Sequence, residues 1–187
     1  MVIAGLGNPG PKYEKTRHNV GHMVVDLLLA RAGGSLRAHK TSGMLAARLS
    51  FHGRGVILGK PTAYMNVCGP QIAKLAKYFS VPAADVVAVH DELDIGFGLV
   101  RLKRGGGEAG HNGLRSLSSS LGTKEYCRVR VGVGRPPVGT QTADFVLAGF
   151  RADERKELPG LLERSADAVE ALVREGLEAA QNRVHSA

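Results

Sequence analysis

The chain has 187 residues, 43% of them hydrophobic and 22% charged, with 25 glycines and a net charge of +8. That length suits one globular domain, able to bury about two thirds of its unfolded surface, and the composition excludes a fibrous or disordered chain. The excess of Lys and Arg points toward a polyanionic partner without identifying it. Cys68 and Cys127 are isolated, with no Cys-x-x-Cys spacing, and read as reduced small apolar residues rather than a disulfide framework. No apolar run approaches the roughly 20 residues that span a bilayer. No basic segment precedes an apolar core at the N-terminus. The expectation is a cytoplasmic protein that makes no use of a membrane.

In chain order, Val2 to Ala4 form a short strand. Val20, Met23, Val24, Leu27 and Leu28 fall at helical spacing, closed by Gly33 and Gly34. MLAARLS and VILGK, separated by FHGRG, read as an antiparallel pair. QIAKLAKYF is a helix with Ile72, Leu75, Ala76 and Phe79 on one face. VVAV (86–89) is the continuous apolar run of a strand buried on both faces. LVRL (99–102) alternates and leads into a glycine loop. A helix from about Leu114 precedes the strand RVRVGV (128–133). The tail from Ala152 is an amphipathic helix interrupted near Pro159. Strands alternating with helices, without repeats or linkers, predict a single α/β domain over residues 1–187 with a mixed sheet.

The opening MVIAGLGNPG places Gly5, Gly7 and Gly10 at the G-x-G-x-x-G spacing of a dinucleotide turn. That turn needs its helix to begin inside the glycines, so that the helix N-terminus receives the pyrophosphate. Here Pro9 and Pro11 bracket Gly10, and the helical period starts only at Val20. The nearest acid, Asp26, sits in mid-helix rather than at the end of a second strand. The fingerprint fails on context, and no nucleotide cofactor is expected. The glycines and prolines instead make a rigid loop that holds Asn8 at the carboxyl edge of the sheet, where open α/β sheets place their sites.

Three further segments put polar groups where elements end: TRHNVG with His18 and Asn19, KPTAYMN with Asn66, and VVAVHDELD with His90, Asp91, Glu92 and Asp94. RLKRGGGEAGHNGLR then carries a glycine loop into His111 and Asn112. Taken singly, these have plain readings. Asn19, Asn66 and Asn112 suit helix N-caps, His111 suits the surface, and His18 suits a structural role. Asp91 is harder to set aside, because a carboxylate ending an apolar strand needs a buried partner. A histidine would serve as that partner, held in one tautomer with its other ring nitrogen free to take a proton. No G-x-S-x-G elbow is present. A metal is the competing use of His18, His90, Asp91, Asp94 and His111, but no His pair stands at helical ligand spacing. A water activated by a His–Asp pair remains. Its rate contribution of about 10²–10⁴ suits an ester better than an amide.

Residues 101–135 carry eight basic groups against two acids, most of the net charge. Arg128 and Arg130 alternate with valines, on one strand face. That face reads as a cradle for a nucleic-acid backbone, with salt-sensitive affinity. With 5% aromatic residues, recognition by phosphate and shape fits better than base stacking.

GLGNPG with Tyr13 and TRHNVG, KP with YMN, HDELD followed by GGG and GHNGLRS, RVRVGVGRP and the closing QNRVH, in this order, resemble the bacterial peptidyl-tRNA hydrolases over essentially the whole chain. The resemblance implies a twisted mixed sheet flanked by helices and a cofactor-free monomer without metal. Its substrate would be peptidyl-tRNA, cleaved at the ester between the peptide and the 3′ ribose so that the tRNA is recycled. It implies that His18 activates water and Asp91 orients His18. Asn8, Asn66 and Asn112 would hold the peptide and the attacked carbonyl, with Asn112 also steadying the water. Tyr13 would line the site near the ester, and Met65 would wall the peptide channel. Lys103 and Arg130 would contact tRNA phosphate, and residues 105–113 would gate the channel. The chain departs from the family pattern in starting a few residues short, in Ala109 where glycine is usual, and in Cys68 where serine is customary.

Overall fold

The computed structural model describes residues 1–186. One seven-stranded mixed sheet runs in the order β2-β3-β4-β1-β5-β7-β6. The strands are β1 Val2–Gly5, β2 Arg37–Ala38, β3 Leu45–Phe51, β4 Arg54–Lys60, β5 Val86–Glu92, β6 Val100–Arg104 and β7 Cys127–Gly132. β4, β1, β5 and β7 are parallel neighbours, β3 and β6 flank them antiparallel, and β2 pairs antiparallel with β3 at the margin. The helices are α1 Val20–Ala32, α2 Gly69–Tyr78, α3 Asn112–Leu121, α4 Thr142–Val146, α5 Ala152–Glu175 and α6 Leu177–His185.

The period of two along each parallel strand sorts its side chains into two cores. Ile3, Val87, Val89, Val129 and Val131 pack with α1 and α5 on one face. Val2, Ala4, Val86 and Ala88 pack with α2 and α3 on the other. Each such valine, isoleucine or leucine contributes about 1.5–3 kcal/mol by leaving water. With both faces covered, the polar ends of the parallel strands are the places left for chemistry.

α1 ends as its glycines predict. Gly33 is left-handed (φ 62°), and the Gly34 N–H closes onto Leu29 O at 2.9 Å. The structure departs from the sequence reading at several points, among them the helical tail, which is divided at Gly176 into α5 and α6, and β2, a strand absent from that reading. The β3–β4 turn is only His52–Gly53, with φ of 51° and 78°, because two successive positive φ values make the tight hairpin turn that matches strand twist. α5 continues through Pro159, which is exposed on the solvent side of the helix. α4, too short to show a period, was not anticipated.

β6 is one margin of the sheet, and α6 seals it. Gln181 Nε2 donates to Leu102 O, and the Leu102 N–H donates to His185 Nε2, each at 2.9 Å. Among the described residues, no helix is long and apolar enough to cross a membrane.

Candidate active site

The carboxyl ends of the four parallel strands converge on a cavity of about 830 Å³. β5 stays buried through its last three residues, His90, Asp91 and Glu92. It therefore carries a carboxylate into the cavity wall at 3% exposure. Asp91 answers the cost of burial with two imidazoles. His18 Nδ1 lies 2.9 and 3.0 Å from its two oxygens, and His111 Nε2 lies 2.9 Å from Oδ1. Burial alone raises the Asp91 pKa, but His111 and then His18 outweigh it and hold the carboxyl well below the usual carboxylate range.

The tautomers follow from the partners. His111 Nδ1 accepts the N–H groups of Gly113 and Leu114 at 3.1 and 3.3 Å, capping α3. Its proton is therefore on Nε2 and is donated to Asp91. His18 donates from Nδ1, which leaves Nε2 as a lone pair with no partner among the described residues. His111, not Asn112, is thus the N-cap of α3, and its side chain is only 8% exposed rather than on the surface.

Thr16 to Asn19 gather the rest of the site. Thr16 bridges to Gly149, and His18 reaches Asp91. Asn19 makes no helix cap. Its side chain instead clamps the Asn8 backbone, accepting from Asn8 N and donating to Asn8 O, both at 2.9 Å. Asn8 Oδ1 in turn accepts the Met65 N–H at 2.8 Å, which leaves the Asn8 amide N–H₂ available to the cavity it lines. Gly5 and Gly7 serve this packing. A methyl on Gly5 would collide with Gly21 O and Val25, and one on Gly7 would stand 2.7 Å from the His22 ring. At these two positions they let α1 lie directly on the strand ends.

His18, Asp91, Asn8, Met65, Asn66 and Asn112 all line the one cavity. Met65 is buried in its wall, while Asn66 and Asn112 stand exposed at its rim. Tyr13 lies outside the lining and meets the lining residue Tyr64 edge-to-face at 6.3 Å. Lys103 is exposed on β6, and Arg130 on β7 is paired with Glu92 at 3.0 Å. Arg128, read from sequence as part of a nucleic-acid face, is turned inward. Its guanidinium donates to Gly107 O and Gly106 O at 2.6 and 2.9 Å and rests on the Tyr126 ring. It ties down the first half of the 105–113 loop. Ala109, in that loop, adopts φ 47°, a left-handed conformation that glycine takes without strain.

His18, Asp91 and His111 each offer a ligand atom, all within 4.8 Å of one another. A shared cation would need lone pairs on the two imidazole nitrogens that face Asp91. The α3 cap keeps His111 Nε2 protonated, so the donor set fits hydrogen bonding rather than ligation.

His90, at 1% exposure, donates from Nδ1 to Asp91 O at 2.7 Å. Burial first, then His111, lowers its pKa from 6.5 to about 3, and burial followed by Lys60 lowers that of His22 to about 3. Below pH 6.5 the unfolded chain takes up two protons that the folded protein refuses. Their contribution to stability is complete above that pH and falls by about 1.4 kcal/mol per histidine per pH unit as pH drops toward 3. Urea midpoints between pH 7 and 4.5 should record this decline, with a shallower slope in His22→Asn. An unchanged slope would remove His22 from the account.

The fold and site together define an α/β protein with a buried His–Asp pair in a cavity at the carboxyl end of its sheet. The sequence profile of the peptidyl-tRNA hydrolases matches residues 2–187. The peptidyl-tRNA hydrolase of Mycobacteroides abscessus is 59% identical over 100% of this chain and 95% of its own length. That of Rhodococcus jostii is 58% identical over 98% and 97%. The crystal structure of the Acinetobacter baumannii peptidyl-tRNA hydrolase superposes with a TM-score of 0.91 at 32% identity, covering 98% of this chain and 93% of that one. This chain belongs to the peptidyl-tRNA hydrolase family.

Proposed function

We propose that the protein hydrolyses the ester joining a peptide to the 3′-terminal ribose of tRNA, with His18 as general base and no metal. The observation that carries this reading is the unpartnered Nε2 of His18, held by Asp91 on the wall of a cavity that Asn8 also lines. A water gives one proton to His18 Nε2 while its oxygen bonds to the ester carbonyl carbon. The carbonyl electron pair moves to oxygen, and the Asn8 amide N–H₂ donates a hydrogen bond to the oxyanion so formed. As the carbonyl re-forms, the ribose oxygen leaves and takes the proton from His18. Asp91 stabilises the imidazolium between these transfers. Asn66 and Asn112 hold the peptide, Asn112 steadies the water, Met65 walls the channel, and Tyr13 supports the wall through Tyr64. Neutral amides accept an acylated nitrogen and offer no carboxylate to a free α-ammonium, so aminoacyl-tRNA is spared. The working unit in this reading is a cytoplasmic monomer.

The test is release from N-acetyl-aminoacyl-tRNA with EDTA present, beside the unblocked aminoacyl-tRNA. Release from the blocked substrate alone is expected. Loss of activity with chelator would overturn the metal-free mechanism. Lys103 and Arg130 are assigned to tRNA phosphate. Each alanine substitution should reduce the slope of log KM against log salt by about 1 and leave kcat nearly unchanged.

A further inference from the structure

The mechanism leaves one buried charge without a task. Arg17, the residue before His18, is 2% exposed. Its Nη1 donates to Gly149 O at 2.8 Å and Phe145 O at 3.3 Å, with Ala148 O at 3.5 Å, and its Nη2 pairs with Glu154 at 2.6 Å. Its guanidinium lies 4.2 Å from the Phe145 ring centre and 5.5 Å from that of Phe150. The Arg17 N–H adds a bond to Ala148 O at 3.1 Å. These contacts fix residues 145–149, where α4 turns toward α5. The cavity side of the same segment is Thr142, Ala143, Val146 and Leu147.

Stability alone does not call for a guanidinium here. Well-packed apolar groups often replace a buried ion pair without loss. What the guanidinium adds is direction, because its planar fork of donors meets several carbonyls at fixed angles while the adjacent peptide carries His18.

We infer that Arg17 is a positioning residue for the hydrolysis: it sets the gap between the His18 imidazole and the apolar α4 wall, so one residue fixes both the base and the width of the channel beside it. The inference rests on the esterase reading of the site. The peptide lies between that wall and His18, and a wall displaced by about 1 Å spoils the alignment of the ester with the water.

The test compares Arg17→Lys with Glu154→Gln in the full chain. Both variants weaken the same buried pair, but only the first removes the fan of bonds to residues 145–149. Rates are taken per folded molecule on N-acetyl-aminoacyl-tRNA and on an N-acetyl-dipeptidyl-tRNA, beside hydrogen exchange at the Leu147 and Ala148 amides. For Arg17→Lys, kcat should fall by about 10- to 100-fold, more on the dipeptide, with KM little changed and faster exchange at both amides. Glu154→Gln should retain most of its kcat and its protection. Equal losses in the two variants, or losses that merely follow the folded fraction, would overturn the proposal. Should Arg17→Lys not fold, Phe145→Leu, which removes one aromatic face from the guanidinium, should give the same pattern more weakly; wild-type kcat in that variant would count against it. An inactive wild type would sink the esterase reading instead, and the exchange data would still test the tie between Arg17 and α4.

Discussion

His18→Ala should lower peptide release by about 10²–10⁴-fold, the range that a positioned general base supplies, and should leave tRNA binding nearly intact. The reason is local. His18 is held by one acceptor, Asp91, at 2.9 and 3.0 Å. Its removal leaves Asp91 still bonded to His111 at 2.9 Å, so the buried carboxylate is not orphaned and the fold survives. The basic strip around Lys103 and Arg130 lies outside the cavity lining and is untouched. Single-turnover release measured beside tRNA binding at two salt concentrations separates the two effects. Turnover near the wild-type rate would mean that another group takes the proton. Asp91→Asn should be damaging in a different way, because the uncharged amide no longer stabilises an imidazolium and its N–H₂ replaces the second acceptor oxygen beside His18 Nδ1.

Gly21→Ala is expected to destabilise the protein by about 3 kcal/mol or more, at the upper end of overpacking costs. Gly21 lies in the first turn of α1, where the helix meets the strand ends. A methyl group there would be driven into Val89 O and would stand 2.6 Å from Leu6 N and O. These are backbone atoms of the sheet, so no rotamer change relieves the contact. The helix would have to lift, taking with it the turn that carries His18 and Asn19. Gly55→Ala on β4, where a methyl meets nothing within 4 Å, should by contrast be nearly neutral. Comparable urea midpoints for the two variants would show that α1 tolerates displacement.

Much of this arrangement was legible from residue order. A continuous apolar run locates the buried strand 86–89, and a 3.6-residue period locates helix α1. The cost of burying a carboxylate at a strand end singles out Asp91 before any coordinates. What the order concealed were residues whose meaning depends on a distant neighbour. His111 looks like one of many surface histidines until the end of β5 is placed beside it. The signal was available in part, since an anion as buried as Asp91 needs more than one donor. Asn19 has the profile of a helix cap, and only the approach of the Asn8 loop shows where its amide is used. Arg128 shares its strand face with Arg130, yet the glycine loop folds over one and not the other. Short pieces such as α4 carry no period and are held by tertiary contacts, chiefly those of Arg17.

The seal on β6 has a consequence for how the protein behaves among other chains. An uncovered margin of this length would invite a foreign strand to add to the sheet. The closing bond at Leu102 requires a lone pair on His185 Nε2, hence an uncharged ring. Burial, followed by the charges of Arg101 and Arg130, moves the His185 pKa below its ordinary value. The charges of Arg101 and Arg130 therefore help to keep this stopper uncharged and the margin closed.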